Sequence, residues 1–403
     1  MAARRLILRS GGTAGRLVAA SSGALVLAAC STLSGLSGVP ATTTPACGRP
    51  QSLGLIIGAH RDAPRPSLSP RLACQVTAAV RAGKPVWIVV ASGQPRVISP
   101  RLASVSGGTL AQQGSPRVQQ DVQRIEAAIG AARPDTPGAD DLAALAVAAD
   151  EARSEGEPHA ELVLIDSGLD DRGALDFTVP GLIAATPAEV AQQLDDSGNL
   201  PGLRGFTVVL VGLGYTASPQ APLSVKWRDN ITQIWTAVVA AAGARAEVIP
   251  QPGQGPSVPT GQPVRLVPVP GTSPVKPQHH TTITFTQASP VRFEPDSTAF
   301  VDPEAARSAL EPIARWLAAD RSRRASLEGT TADVGPMSGQ VALSRLRAGH
   351  VRDVLIALGA SPTQLTTNGV GSDFPQFTPD RNAAGTLLAG PATLNRSVRI
   401  TLG

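Results

Sequence analysis

Three cysteines are the residues whose positions most directly indicate a chemistry. Cys30 follows Leu27-Ala28-Ala29 at the end of an apolar run from Leu17 to Ala29, and four arginines and no acidic residue precede that run. This is the pattern of a signal peptide that ends in a lipobox, whose cysteine receives an acyl chain. The apolar run is shorter than the roughly 20 residues that span a bilayer. We therefore predict a signal peptide over residues 1–29 and a palmitate-type lipid anchor on Cys30.

The other two cysteines, Cys47 and Cys74, are expected to form a disulfide bond. If Cys30 carries lipid, they are the only cysteines left in an exported chain, which folds where disulfides form and persist. The bridge would close a loop of about 28 residues and contribute roughly 3 to 4 kcal/mol in the chain-entropy model. A pair of free, buried thiols is the alternative.

Motifs of common catalytic sites do not occur in the chain. Gly-x-Ser-x-Gly, His-Glu-x-x-His and the phosphate-binding loop are absent, and the pair His279-His280 beside a proline-rich segment is expected to be solvated. Removal of the signal peptide's arginines leaves 31 basic and 31 acidic residues, so no excess of positive charge favours nucleic acid. We therefore expect no enzyme, no nucleic-acid partner, no cofactor and no metal.

Two folded regions must position whatever site the chain has. Between Leu53 and about Val269, short runs of Val, Ile and Leu alternate with amphipathic segments, as in βαβ units. Such strands are typical of a sheet that helices cover on both faces, so we predict an α/β fold with a doubly wound, mostly parallel sheet. The predicted strands are Leu53 to Gly58, Val86 to Ala91, Glu161 to Asp166, Phe206 to Gly212 and Ala246 to Ile249. The predicted helices are Pro70 to Ala82, Val118 to Ala131, Ala139 to Glu155, Pro187 to Leu194 and Ser224 to Ala242.

The rest of the chain is expected to hold a tether, a linker and a smaller α+β domain. The predicted divisions are a flexible tether at 30–46, the α/β domain at 47–269, a Pro-rich linker at 270–280 and the small domain at 281–403. Val264 to Val269 could add an edge strand to the first domain. The small domain's predicted elements are a strand from Thr282 to Phe285, a helix after Asp302-Pro303-Glu304, a helix from Val341 to Leu358 that stops at Gly359, and a strand from Val398 to Leu402.

Six pieces of the small domain occur in an order that resembles the OmpA-like peptidoglycan-binding family. They are Val291-Arg292-Phe293, the helix around Ala306 to Ala319, Gly329-Thr330-Thr331, Leu343-Ser344-Arg345-Leu346-Arg347-Ala348, Gly369-Val370-Gly371 and Asn395-Arg396-Ser397-Val398-Arg399-Ile400. The resemblance implies non-covalent binding of the diaminopimelate stem peptide of peptidoglycan. In the family an arginine holds the ligand's carboxylate, and an aspartate holds its ammonium.

The resemblance assigns five candidate ligand-binding residues. Arg347 matches the family's arginine, whose planar fork of donors suits a carboxylate; a solvated helix charge is the alternative. Thr331, Asn395 and Arg396 match other motif positions. Ala332 stands where the family has its aspartate, and Asp333 follows one residue later, a shift that would turn its carboxylate to the other face unless a bulge restores the direction.

The α/β region resembles, more distantly, a von Willebrand factor A-type domain. Metal binding in that family requires an Asp-x-Ser-x-Ser cluster after the first strand, where this chain has Ala59-His60-Arg61-Asp62. Thr136, Asp140 and Asp166 echo later parts of the pattern. Turn and helix-cap roles are the expected ones for the aspartates near Asp166, so no metal site is predicted.

Together these observations predict a non-enzymatic cell-envelope lipoprotein that tethers the membrane to peptidoglycan. It would lie outside the cytoplasm, anchored to the outer face of the cell membrane and reaching the cell wall. The alternative is a lipid-anchored scaffold whose OmpA-like domain no longer binds peptidoglycan and whose α/β domain recruits a protein partner. Arg4-Arg5 leaves the twin-arginine and general export routes both open.

Overall fold

The six-stranded sheet of the first domain has five parallel strands and one antiparallel edge strand. The computed structural model describes residues 47–98, 116–251, 262–271 and 274–403, so the predicted signal peptide, tether and acylated Cys30 lie outside the described residues. The strands are β1 (Leu53–Gly58), β2 (Val86–Ala91), β3 (Arg96–Ile98), β4 (Glu161–Ile165), β5 (Thr207–Val211) and β6 (Arg245–Ile249). Their order in the sheet is β3-β2-β1-β4-β5-β6, and only β3 pairs antiparallel, so the sheet is mixed.

Helices cover both faces of this sheet because its strand residues are apolar on both sides. The helices are α1 (Pro70–Arg81), α2 (Pro116–Ala131), α3 (Asp141–Ser154), α4 (Pro187–Asp196) and α5 (Val225–Ala241). Alternate residues of β1 enter two different hydrophobic clusters: Ile56 packs with α3, α4 and α5, whereas Leu55 and Ile57 pack with α1 and α2. Alternation of side chains across the pleat produces this division.

The predicted disulfide is present and joins the start of the described chain to the first helix. Cys47 and Cys74 are bonded, with their Cα atoms 5.3 Å apart. Cys74 lies in α1, whose N-cap Ser69 accepts a hydrogen bond from the amide of Leu72 and whose first residue is Pro70. The bridge therefore fixes the entry into β1 against a well-capped helix.

The segment predicted as a possible edge strand is instead an extended strap. Residues 262–271 contain no strand. Gln220 holds Val267 by both ends of its side-chain amide: its Oε1 accepts from the Val267 amide at 2.8 Å, and its Nε2 donates to the Val267 carbonyl at 3.1 Å. Trp227 donates to the carbonyl of Pro270 at 3.1 Å. Side chains therefore bond the backbone of Val267 and Pro270 where a neighbouring strand would otherwise do so.

The second sheet has the order β7-β10-β8-β9, with β8 and β9 parallel and the other pairs antiparallel. Its core includes the apolar face of α6, where Leu310, Ile313 and Leu317 are fully buried. The strands are β7 (Thr282–Thr286), β8 (Ala325–Thr330), β9 (Leu365–Gly371) and β10 (Ser397–Leu402), and the helices are α6 (Pro303–Ala318), α7 (Met337–Ala357) and α8 (Ala389–Asn395). Gly359 follows α7 with φ +105°, the left-handed end predicted from the sequence.

Helix α7 lies directly on the backbone of the second sheet at two glycines. A Cβ on Gly329 would come within 2.0 Å of the carbonyl oxygen of Ser344, and one on Gly369 within 2.2 Å of the amide nitrogen of Arg345. No side chain other than hydrogen fits at either position. This close approach fixes the part of α7 that precedes Arg347 against the sheet.

The two domains also meet backbone to backbone at a second pair of glycines. A Cβ on Gly181 of the first domain would lie 2.3 Å from the carbonyl oxygen of Gly390 in α8, and one on Gly390 would lie 2.9 Å from the carbonyl oxygen of Pro180. Beside them, the amide of Ala389 donates to the side chain of Gln193 at 2.7 Å.

Among the described residues, no helix is both long enough and apolar enough to cross a membrane.

Candidate functional site

A cavity of about 280 Å³ opens where α4 of the first domain approaches the small domain; we call it the junction pocket. Thr186 and Glu189 line it from the first domain. The small domain contributes Gln287, residues 292–296, Thr331, Ala332, Val334, Pro336, Gly339, Gln340, Leu343, Arg347 and Arg396. Three of the five predicted ligand-binding residues, Thr331, Arg347 and Arg396, therefore share one cavity.

Arg347 is buried, with only 6% of its surface exposed. Its Nε donates to the carbonyl of Ser297 at 2.9 Å, its Nη2 donates to the carbonyl of Glu294 at 3.1 Å, and its guanidinium lies 5.1 Å from the ring centre of Phe293. Among the described residues, no acceptor engages Nη1. Burial, followed by the nearby Arg396, lowers the pKa of Arg347 to about 10, against the opposing effect of Asp296. The side chain thus stays a cation at neutral pH, held by its stem and with one nitrogen still able to donate.

Arg396 forms the main ion pair between the two domains. Its Nη1 and Nη2 donate to the two carboxylate oxygens of Glu189 at 2.7 and 2.6 Å. The arginine side chain is 18% exposed and the glutamate side chain 29%, so the pair is partly shielded from water. Glu189 lies in the first turn of α4, where the helix dipole favours a carboxylate. The pair sits on the wall of the junction pocket.

The aspartate position of the motif brings an apolar group, not a carboxylate, to the pocket. Ala332 lines the cavity and is buried, and the neighbouring Thr331 hydroxyl is buried without a hydrogen-bond partner among the described residues. Asp333 is not among the lining residues. Its Oδ1 accepts from Gln340 at 3.0 Å, and its Oδ2 lies 3.8 Å from Nε of Arg381. The one-residue shift has therefore turned Asp333 away from the cavity, so its placement in the ligand site is not supported.

Asn395 likewise lies outside the residues that line the pocket. It is buried, and its side-chain amide bonds both the amide and the carbonyl of Thr378, at 2.9 and 2.7 Å, and donates to Asp380 at 3.0 Å. Asp380 in turn accepts the amide of Asp333 at 3.0 Å. Asn395 thus fixes the loop after β9, a structural position that its place in the motif did not reveal.

The carboxylates of the junction pocket were not predicted from the sequence. Glu189, Glu294 and Asp296 line the pocket together with three arginines, Arg292, Arg347 and Arg396. Burial lowers the pKa of Arg292 as well. The motif piece Val291-Arg292-Phe293 could have indicated the wall that carries residues 292–296. No sequence signal marks Glu189, because only the packing of the two domains brings it there.

A second group of ionisable side chains lies at the carboxyl edge of the six-stranded sheet, around Asp166. Asp170 accepts the amides of Asp141 and Leu142 at 2.9 and 3.2 Å, the helix-cap role expected for it. Burial, together with the charges of Asp166 and Asp170, raises the pKa of Asp141 well above its usual range. Burial also raises the pKa of Asp62 to about 6.

Comparison with known proteins identifies the small domain. The OmpA family model matches residues 292–385, about a quarter of the chain, so the C-terminal region contains an OmpA-family domain. The peptidoglycan-associated lipoprotein of Burkholderia pseudomallei is 23% identical over 28% of this chain and 86% of its own, with a TM-score of 0.24. The periplasmic domain of Helicobacter pylori MotB (residues 78–256) is 21% identical over 32% of this chain and 78% of its own, with a TM-score of 0.26. No curated protein matches the chain.

Proposed function

We propose that this protein is a non-enzymatic cell-envelope lipoprotein that tethers a membrane to peptidoglycan, and that the junction pocket binds the diaminopimelate stem peptide. The OmpA-family domain supports the ligand class. The lipid on Cys30 supplies the membrane end of the tether. Because one acyl chain and one wall contact raise each other's effective concentration, a modest affinity for the stem peptide is sufficient.

The observation that carries this proposal is the charge pattern of the junction pocket. Three arginines and three carboxylates line one cavity, so its formal charges balance. A balanced pocket favours a ligand that carries both an ammonium and a carboxylate over a simple anion. The free end of diaminopimelate is such a zwitterion. Arg347 and Arg396 are the donors for its carboxylate.

Glu189 takes the place of the missing motif aspartate in this proposal. Ala332 offers no charge, and Asp333 points elsewhere, whereas Glu189 brings its carboxylate to the same cavity from α4. The ligand's carboxylate would share Arg396 with Glu189, and its ammonium would lie against the Glu189 carboxylate. The peptidoglycan site is then completed by the first domain and is not contained in the OmpA-family domain alone.

The test is co-sedimentation of the full chain, in mild detergent, with diaminopimelate-type peptidoglycan. We expect binding by the natural chain, loss of most of it in Arg396→Gln and Glu189→Gln, and unchanged binding in Arg345→Ala, which removes an exposed arginine two positions from Arg347 on the same helix. Peptidoglycan with lysine in the stem peptide, which lacks the second carboxylate, should bind more weakly. Equal binding by natural chain and pocket variants would contradict the assignment of the pocket.

A second function has specific support in the same pocket. The aspartate position is Ala332, Arg396 already has both terminal nitrogens bonded to Glu189, and Arg347 donates to two main-chain carbonyls. A scaffold that keeps the OmpA fold and recruits a protein partner through the α/β domain would show these features without binding the wall. Absence of peptidoglycan binding by the folded natural chain would favour this function.

We also propose that the α/β domain is distantly similar to von Willebrand factor A-type domains. Its support is the position of Thr136 and Asp166, which lie near the carboxyl edge of the sheet as in the pattern quoted for that family. Thr136 donates to the hydroxyl of Ser92, the residue after β2, at 3.1 Å. Co-purification with the isolated partner of the scaffold would test whether this edge is used for recruitment.

A further inference from the structure

One histidine and two aspartates meet in the interior of the first domain, at the carboxyl edge of its sheet; we call His60, Asp141 and Asp166 the sheet-edge cluster. His60 lies two residues after β1, Asp166 directly follows β4, and Asp141 is the first residue of α3. One nitrogen or oxygen from each lies within 4.8 Å of the others. Nε2 of His60 is 3.2 Å from Oδ2 of Asp166, and both side chains are 1% exposed.

Several buried polar atoms of the cluster receive no hydrogen bond from the surrounding chain. Neither carboxylate oxygen of Asp141, a residue with no exposed surface, accepts a hydrogen bond from an N–H group of the described residues, and its side chain interacts with a second carboxyl group, that of Asp166. Nδ1 of His60 and Oδ1 of the adjacent, buried Asp62 also lack one. Buried polar atoms are nearly always paired, and buried carboxylates above all. A cation among these atoms would satisfy several of them at once.

The backbone around the cluster makes room for it and aims its oxygens inward. A Cβ on Gly58, at the end of β1, would lie 1.9 Å from the carboxyl carbon of Asp166, so only glycine allows that carboxylate to lie there. Oδ1 of Asp166 accepts the amide of Ser167 at 2.6 Å, which leaves Oδ2 directed at His60. Asp170 holds the amide of Asp141 at 2.9 Å. Such outer contacts orient ligands in metal sites.

We propose that the sheet-edge cluster binds a divalent transition metal of the zinc type, through Nε2 of His60 and one carboxylate oxygen each from Asp141 and Asp166. Imidazole is a ligand that zinc accepts readily, whereas calcium and magnesium take oxygen ligands alone. Two ligands of a tetrahedral zinc lie about 3.3 Å apart, close to the separation seen between His60 and Asp166. Asp62 is a further buried carboxylate beside His60. The sequence alone predicts no metal here.

The ion would connect the loops that follow two neighbouring strands, β1 and β4, to the helix α3. The loops after β1 and β4 and the first turn of α3 all contribute one ligand, so metal binding would add to the stability of the first domain. The proposal does not depend on peptidoglycan binding, because the cluster does not line the junction pocket. Its test therefore measures metal and stability only.

The experiment measures zinc in the full chain after incubation with Zn²⁺ and removal of unbound metal. We expect about one zinc per natural chain by elemental analysis, a rise in Tm over the chelator-treated chain, and no such rise with Mg²⁺ or Ca²⁺. His60→Gln and Asp141→Asn should each weaken zinc binding at least about 100-fold, because each removes a direct ligand. The asparagine variant should still fold, since it removes an uncompensated buried charge.

Two further variants separate this site from surface binding. Asp140 caps α3 by accepting the amide of Ala143 at 2.9 Å. Asp140→Asn removes the charge of this neighbouring acid but keeps an oxygen that can cap the helix, so this variant should retain the zinc. The double variant His279→Gln, His280→Gln removes the adjacent histidine pair and should also retain it. A folded natural chain without zinc, or zinc that survives His60→Gln but disappears with the histidine pair, would overturn the proposal.

Discussion

Replacing Glu189 and Arg396 by glutamine, singly and together, measures how strongly one ion pair couples the two domains. A fully exposed pair contributes about 0.2 to 1 kcal/mol, and a hydrogen bond to a charged group in shielded surroundings about 1.5 to 3 kcal/mol. This pair makes two such bonds, at 2.6 and 2.7 Å, with side chains 18% and 29% exposed. We therefore expect a coupling free energy of about 1.5 kcal/mol, between those limits.

The assay is urea-induced unfolding of the natural chain, both single variants and the double variant, followed by far-UV circular dichroism. The pair Glu311 and Arg315 is a matched control: its atoms lie 4.0 Å apart and its side chains are 52% and 70% exposed, so its own cycle should give at most about 0.5 kcal/mol. Raising the salt to 1 M should screen out most of the control pair's coupling and should reduce that of Glu189 and Arg396 by a smaller fraction. A coupling free energy for Glu189 and Arg396 no larger than that of the control pair would refute the inference that partial burial strengthens this ion pair.

The other predictions concern packing and charge. In thermal unfolding, Gly329→Ala should destabilise the small domain by about 3 kcal/mol or more, because the new Cβ would lie 2.0 Å from the carbonyl oxygen of Ser344 in α7. The control Gly349→Ala adds a Cβ to α7 where no atom lies within 4 Å, and it should stabilise the domain by up to about 1 kcal/mol. Gln364→Leu should cost about 3 kcal/mol, because its buried Nε2 donates to three main-chain carbonyls at 2.8, 2.9 and 3.1 Å. Burial, then the charge of Arg292, lowers the pKa of Lys226 to about 8 from 10.5. Between pH 8 and 10.5 the folded chain therefore binds fewer protons than the unfolded chain, so its free energy of unfolding rises with pH. Relative to Lys226→Met, the free energy of unfolding of the natural chain should rise by about 1 to 2 kcal/mol as the pH increases from 7.5 to 10. A difference between the two chains that does not change with pH would contradict the lowered pKa.

Strands with unbroken apolar runs could be located to the residue. Leu53–Gly58 and Val86–Ala91 have the bounds that the sequence predicts, because every residue in them is buried. Ala325–Thr330 and Leu365–Gly371 were not predicted. Both contain glycine and polar residues, and their strand conformation depends on pairing with each other and on contact with α7, neither of which a local pattern records.

The residues of the candidate site also fall into two groups: those that a sequence motif marks, and those that only tertiary packing brings to the site. Arg347 and Arg396 could be found because a motif marks them. The direction of the Asp333 carboxylate could not be read from the motif, because the pairing register of β8 shifts between Gly329 and Thr330, just before it. Glu189 could not be found at all, because it lies 207 residues before Arg396 and only the docking of the two domains brings the two side chains together.

The paired glycines at the domain contact limit which OmpA-family domains could replace the small domain of this chain. Gly181 and Gly390 let two backbones touch, and any side chain on either would force the domains apart. An OmpA-family domain grafted here from another protein would need a glycine at the position of Gly390 and an arginine at that of Arg396 to reproduce the contact. Without both residues, a chimera would contain two folded domains joined only by the linker. Glu189 would then face solvent, and the first domain would no longer complete the junction pocket. Recombination that preserves only the family's own motif would thus yield a hybrid with an altered site.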